Sequence, residues 1–217
     1  MRRTRRGLSR ATIALTSTSS QAVEVGEETH MGNLGEGFAA VEAFIADAHA
    51  ILEEHGGPTV PAFEAIGERM KPLVKRKDLE DLRDGSPLPG NWIYSEPDGL
   101  TLMLSTFPTT TAVHTHGAWG VMVGYKGTEH YRQWVREDDG SVPGKATLRL
   151  LRDIEVKPGD AGWWYPPPSD IHQQVPDEGG VLELILMGNP PSDHRLYFDV
   201  EAGTYEENTP AQRHYSR

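Results

Sequence analysis

From residue 90 onward the chain is cut into short apolar runs by turn-forming clusters. The runs lie at 92–94, 100–107, 112–113, 119–125, 130–135, 146–156, 161–165, 181–187 and 195–200. Between them stand Pro97-Asp98-Gly99, Lys126-Gly127, Asp138-Asp139-Gly140, Pro158-Gly159-Asp160 and Glu178-Gly179-Gly180. Gly, Pro and Asp supply the backbone angles that tight turns need, so each cluster reverses the chain. Runs this short are strands, and many short strands joined by tight turns build a sandwich or a barrel. The stretch Val181–Met187 does not alternate, which marks a strand buried on both faces.

Upstream of residue 85 the period changes from two to between three and four. Phe38, Val41, Phe44, Ile45, Ala48, Ile51 and Leu52 share one helical face over 37–55, and Gly56-Gly57-Pro58 stops that helix. A second helix starts near Pro61 with the stripe Phe63, Ile66 and Met70, and Pro72 is expected to break it. A short charged helix is expected over 73–83, and residues 85–90 form a turn. The expected organisation is a leader or disordered extension at 1–33, a helical segment at 34–84, a β-barrel at 85–205 and a tail at 206–217.

Composition removes several classes of function. The chain of 217 residues has no cysteine, which excludes disulfides, thiolate metal sites and a cysteine nucleophile. Its net charge of −11 repels phosphate backbones, so no nucleic-acid partner is expected. No run reaches the length of a spanning helix, so no membrane partner is expected and the location reads as cytoplasmic. Residues 1–30 differ, with five Arg against three Glu. Thr4-Arg5-Arg6-Gly7-Leu8 faintly resembles a twin-arginine signal, but the apolar stretch after it is poor and no A-x-A site follows. An initiator at Met31 is the competing reading of this leader.

Six of the nine histidines (His30, His49, His55, His130, His194 and His214) sit in polar or terminal surroundings and read as solvated or structural. His114-Thr115-His116 is different. On a strand, residues two apart point to the same face, so both imidazoles can meet one metal ion inside a barrel. A third histidine, His172, follows the Pro-rich approach Pro166-Pro167-Pro168-Ser169-Asp170-Ile171.

These residues resemble the two metal motifs of the cupin superfamily. His114, His116 and Gly127 fit the first motif, with Gly120 in the place of its Glu; Pro167 and His172 fit the second, with Ser169 in the place of its Gly. The resemblance implies a mainly β fold, a double-stranded β-helix (cupin jelly roll) with N-terminal helices packed on the barrel. It implies a metal held by His114, His116 and His172. Without the Glu, the arrangement is similar to that of cysteine dioxygenase-like thiol dioxygenases, which also carry helices before the barrel. That likeness implies Fe(II), with Zn, Ni or Mn as alternatives, and O2 and a small molecule as partners.

Departures from that family argue against cysteine as the substrate. The stretch matching its carboxylate-binding Arg is Gly90-Asn91-Trp92-Ile93-Tyr94, which has no Arg. Its Ser-x-His-x-Tyr strand is replaced by Glu183, Ile185 and Met187, and its cross-linking Cys by Val121. Glu183 has three readings: a catalytic acid or base or a substrate-amine anchor inside the barrel, a solvated charge outside it, or a distant metal ligand. Gln174, Arg132 and Trp164 are candidate substrate-binding residues, and Asp170 a turn cap or a support for a ligand imidazole. Two other functions compete with an oxygenase: a redox-neutral metal-dependent lyase or isomerase, and a non-catalytic ligand-binding cupin. Jelly-roll sheet edges are also compatible with a homodimer.

Overall fold

The computed structural model describes residues 20–209, with side chains from residue 34 onward. Helix α1 (Ser20–Glu54) is followed by α2 (Val60–Val74) and α3 (Leu79–Asp84). The first helix begins within the stretch expected to be a leader. Residues 20–33 contain no proline, and a helix once nucleated gains one hydrogen bond per added residue. The leader reading of residues 1–19 lies outside the described residues. Thr59 caps α2 by accepting from Ala62 N at 3.4 Å. Pro72 does not end α2. Only two residues follow it, and the chain turns out at Lys75–Arg76, where Arg76 N donates to Leu73 O at 3.0 Å.

Eleven strands follow: β1 (Trp92–Ser95), β2 (Thr101–Phe107), β3 (Val113–His114), β4 (Gly120–Lys126), β5 (Glu129–Arg136), β6 (Leu148–Val156), β7 (Ala161–Trp164), β8 (His172–Pro176), β9 (Val181–Met187), β10 (Arg195–Asp199) and β11 (Thr204–Asn208). They form a five-stranded sheet, β1-β2-β9-β4-β7, and a six-stranded sheet, β11-β10-β3-β8-β5-β6. Pairing between the strands is antiparallel throughout. The chain crosses between the two sheets at β2–β3, β3–β4, β4–β5, β6–β7, β7–β8, β8–β9 and β9–β10. That winding is the double-stranded β-helix, the cupin jelly roll. Residues 206–208 of the expected tail lie in β11, which pairs with β10 through five residue pairs; residues 210–217 lie outside the described residues.

The five-stranded sheet is apolar on both faces. Leu102, Leu104, Val121, Val123, Leu184 and Leu186 face the helices and pack with Phe44, Phe63, Ile66 and Met70. Their neighbours Met103, Met122, Ile185 and Met187 face the barrel interior with Tyr131 and Trp164. This explains the missing alternation in β9. At Gly67 of α2 a side chain would collide with the Ala161 Cβ, so the glycine sets how closely the helix lies on the sheet. No helix among the described residues is long and apolar enough to cross a membrane.

Phe63 is fully buried and packs at 5.4 Å on Trp119. Phe63→Ala is expected to lower stability by about 3–5 kcal/mol in urea denaturation. A loss below about 1 kcal/mol would mean that the helices are not part of the core.

Candidate metal centre

Three strands bring the histidines together. His114 ends β3 and lies directly opposite His172 on β8, while Tyr197 of β10 flanks it on the other side. His116 follows two residues later. The ring centroids are 4.7, 4.8 and 4.9 Å apart, close to an equilateral triangle. Asp170 holds the turn: one carboxylate oxygen accepts from His116 N at 2.9 Å and Gly117 N at 2.7 Å. The carboxylate therefore fixes the loop, and the backbone orients the imidazoles.

The hydrogen bonds settle which nitrogens are free. His114 Nδ1 donates to Ala112 O at 2.9 Å, and His172 Nδ1 donates to Asp170 O at 3.0 Å. A ring that donates from Nδ1 presents a bare lone pair at Nε2. His114 Nε2 faces His116 Nε2 at 3.0 Å, and His172 Nε2 is buried with no partner. Burial lowers the His114 pKa to about 4. Burial first, and neighbouring imidazoles second, push His116 and His172 well down. All three are thus neutral at pH 7, and their ligand atoms lie within 4.8 Å of one another. Converging bare imidazole nitrogens and an orphaned Nε2 are the donor set a divalent transition metal requires, so the residues fit a metal ion.

At Gly120 the surroundings leave no room for a carboxylate side chain. Trp164 is fully buried, lies 4.6 Å from the His172 ring and 5.7 Å from His116, and donates its indole N–H to Ala118 O at 2.8 Å. At Gly120, any Cβ would land inside this indole. The position of the missing Glu is therefore filled by tryptophan. Tyr131 and Tyr197 complete the wall, at 5.6 Å from His172 and 6.0 Å from His114.

The other expected site residues divide. Gln174 is buried on the inner face one step beyond His172, where its carbonyl accepts from Thr111 Oγ1 at 3.2 Å. Arg132 is a correction. It lies on the outer face of β5 and pairs with Asp153 at 2.8 Å, because odd-numbered residues of this strand point inward. Glu183 takes the interior reading: it is fully buried on β9. Met187, opposite Gly120, marks the histidine level, and Glu183 lies four residues from it, about 13 Å along the strand. It therefore does not reach the metal centre directly.

Four residues near the site escaped the sequence reading. Gln133 is buried opposite His172, and neither amide atom has a partner. Tyr131 and Glu129 lie below it on the same face of β5, and the Tyr131 hydroxyl and both Glu129 carboxylate oxygens likewise have no hydrogen-bond partner among the described residues. The period-two set Glu129, Tyr131, Gln133 was the available signal. Arg195, at the start of β10, lies close enough to lower the proton affinity of all three histidines. Its Nε donates to Ser192 O at 3.3 Å, and it forms no ion pair among the described residues. Leaving a buried polar group unpaired costs roughly 1–3 kcal/mol, a cost evolution tolerates mainly at functional sites.

No family model and no curated protein sequence matches the chain. Among solved structures, the DMSP lyases RdDddP and RnDddQII are similar at 15% identity and TM-score 0.30, over 42% of this chain and 38% of that one. Hydroquinone 1,2-dioxygenase PnpCD, in complex with Cd2+ and 4-hydroxybenzonitrile, is similar at 10% identity and TM-score 0.33, over 46% and 69%. A cupin-2 domain protein of Shewanella frigidimarina is similar at 15% identity and TM-score 0.33, over 52% and 90%. The fold assignment stands on the strand order and register described above.

Burial, and then the charge of Glu129, hold the Glu183 carboxyl well above its ordinary 4.5. The folded chain therefore keeps a proton that the unfolded chain releases. That contribution to stability is complete below pH 4.5 and is lost as pH rises toward the folded value. The histidines act in the opposite direction, but only below about pH 7, where the unfolded chain protonates them. Glu183→Gln is thus expected to make the slope of unfolding free energy against pH, measured in urea, more positive above pH 4.5. An unchanged slope in Glu183→Gln contradicts a proton held on Glu183 by burial.

Proposed function

We propose that this chain is a metal-dependent enzyme, a three-histidine oxygenase of the cysteine dioxygenase-like type, acting on a small anionic molecule. The observation that carries this reading is the cluster of three neutral imidazoles with Trp164 occupying the place of a carboxylate ligand. Three neutral ligands leave the whole 2+ charge of a bound ion uncompensated, which favours an anionic substrate atom as a further ligand. Fe(II) held by His114, His116 and His172 would supply O2 activation; Zn, Ni or Mn would supply Lewis acidity instead.

The chain's own residues then have definable tasks. The Arg195 guanidinium, partly buried and without a carboxylate partner, attracts and orients an anionic group at the mouth of the site. Gln133 offers an amide donor and acceptor beside His172. Trp164, Tyr131 and Tyr197 exclude water and restrict the substrate's orientation. A thiol fits as the coordinating group. Cysteine itself does not, because the stretch Gly90–Tyr94 has no Arg and β9 has no Ser-His-Tyr set. A redox-neutral lyase or isomerase would need a base beside the substrate, and Glu183 lies too deep to act there directly.

An oxygen electrode tests the reading. The Fe(II)-loaded protein is offered small thiols with and without a carboxylate, and thiol-free acids. Uptake is expected with one anionic substrate and is expected to vanish in His172→Ala. Arg195→Gln is expected to raise KM at least about tenfold with a smaller effect on kcat, as loss of a charge-assisted contact in ground and transition states requires. Turnover of a substrate without O2, or uptake that survives His172→Ala, contradicts the oxygenase reading.

A further inference from the structure

The six-stranded sheet carries one continuous cross-strand row through the metal centre. Tyr197 of β10 lies opposite His114 of β3, His114 opposite His172 of β8, His172 opposite Gln133 of β5, and Gln133 opposite Arg152 of β6. Residues directly opposite on an antiparallel pair share one face of the sheet, with Cβ atoms about 4.5–5.5 Å apart. The shift in the β5–β6 register falls just beyond the row, between Gln133 and Trp134. Ile154, the next residue on this face of β6, packs in the barrel interior. The row that supplies two of the metal-binding imidazoles therefore continues along the inner face, through an amide, to a guanidinium.

Arg152 is held in place but not neutralised. Its Nη2 donates to the Trp163 carbonyl, and its Cζ lies 4.5 Å from the centre of the Trp163 ring. Both contacts orient the guanidinium, and neither supplies a negative charge. They also bridge a seam, because β6 ends the six-stranded sheet and β7 ends the five-stranded one. Arg152 forms no ion pair among the described residues. Its Nε is buried without a hydrogen-bond partner, and so are both amide atoms of the fully buried Gln133 beside it. A buried donor left unpaired is costly, and more so on a charged group. Two such donors on neighbouring strands, one of them cationic, are the complement of a carboxylate. Tyr131 stands between them and the histidines, its ring 6.0 Å from Arg152 Cζ and 5.6 Å from the His172 ring. His172 and Arg152 lie two strands apart, about 9–10 Å.

We propose that Arg152 and Gln133 form an anion subsite that holds the terminal carboxylate of an elongated small acid, whose other end lies at the three histidines. The placement of that other end rests on the metal-enzyme reading above; the anion subsite does not. Arg195 stands on β10, four strands from β6 in the same sheet, so the two guanidiniums do not share one carboxylate. Arg195 acts at the mouth, and Arg152 fixes the far end of the bound molecule. The row also sets a length. A carboxylate one carbon from the metal-binding atom cannot span two strands, whereas one at the end of a longer chain can. Arg152 is thereby a specificity-determining residue, selecting substrates by the position of their charge.

Nitrogen-15 NMR of the arginine side chains tests this without turnover. The Arg152 Nε–H resonance is assigned by its absence from Arg152→Lys. In metal-free wild-type protein, hexanoate is expected to shift that resonance and 1-hexanol to leave it in place. In Zn(II)-loaded protein, 6-mercaptohexanoate is expected to shift it and mercaptoacetate not to. By calorimetry, 6-mercaptohexanoate is expected to bind the Zn(II)-loaded protein at least about tenfold more tightly than 6-mercapto-1-hexanol. Arg152→Gln is expected to abolish that advantage with zinc still bound, and Gln133→Met to reduce it. A resonance unmoved by hexanoate overturns the anion subsite, and this measurement needs no variant to bind ligand. An advantage that survives Arg152→Gln overturns the role of Arg152, and one unchanged in Gln133→Met overturns that of Gln133. Equal shifts from mercaptoacetate and 6-mercaptohexanoate overturn the length selection. Failure of Zn(II) to bind counts against the metal-enzyme reading alone, since the hexanoate shift in metal-free protein still decides the subsite.

Discussion

One cross-strand pair holds the six-stranded sheet together at its centre. Strand β3 has only two residues, and it meets β8 through the single pair His114–His172. On its other side it meets β10 through Val113 and His114. The narrowest ladder of the barrel is therefore also where the imidazoles converge. The carbonyls of Ala112 and Asp170, each two residues upstream of a histidine, clamp the two rings in the same tautomer. Backbone geometry alone thus presents two bare nitrogens to one point. A metal bound there would join strands that the backbone joins weakly, so metal binding and sheet integrity are linked.

The interior consists of two polar layers separated by apolar side chains. Met122 and Ile185 fill the barrel interior between the histidine level and the level of Glu129, where Val156 lies opposite the carboxylate. Tyr131 packs its ring against His172 at 5.6 Å, and its buried hydroxyl has no hydrogen-bond partner. This arrangement sacrifices stability, because a purely apolar interior would leave no orphaned groups. The unpaired atoms of Glu129, Tyr131 and Gln133 lie along one face of β5, with Gln133 opposite His172. A random scatter of packing defects would not have that order.

The architecture was legible because turns and periodicity are local. Clusters such as Pro158-Gly159-Asp160 and the three-and-four spacing of Phe38 to Leu52 act within a few residues. The metal ligands were legible for a different reason: spacing of two on a strand, plus a third histidine after a proline run, has few structural meanings. What failed was the face of individual strands. In β5 neither phase is clearly apolar, since His130, Arg132 and Gln133 are all polar, so Arg132 could be placed inside. In β9 both phases are apolar around Glu183, which hid its direction. Long-range consequences were also out of reach. The absence of the Glu at Gly120 could be read, but that Trp164 fills its place depends on the pairing of β4 with β7. Arg195 reaches the site only because β10 pairs with β3. Residues 206–208 did not read as strand because β11 is polar and its partner β10 is what makes it one.

The central claim is that His114, His116 and His172 bind one metal ion through imidazole nitrogen. X-ray absorption at the K-edge of Fe(II)- or Co(II)-loaded protein reads this directly, because imidazole rings give a characteristic outer-shell scattering pattern. The account predicts one ion per chain with about three imidazole ligands at the ~2.0–2.1 Å metal–nitrogen distances usual for such sites, and loss of one ring's contribution in His114→Ala. Metal bound only by oxygen ligands, or a spectrum unchanged by His114→Ala, would contradict it.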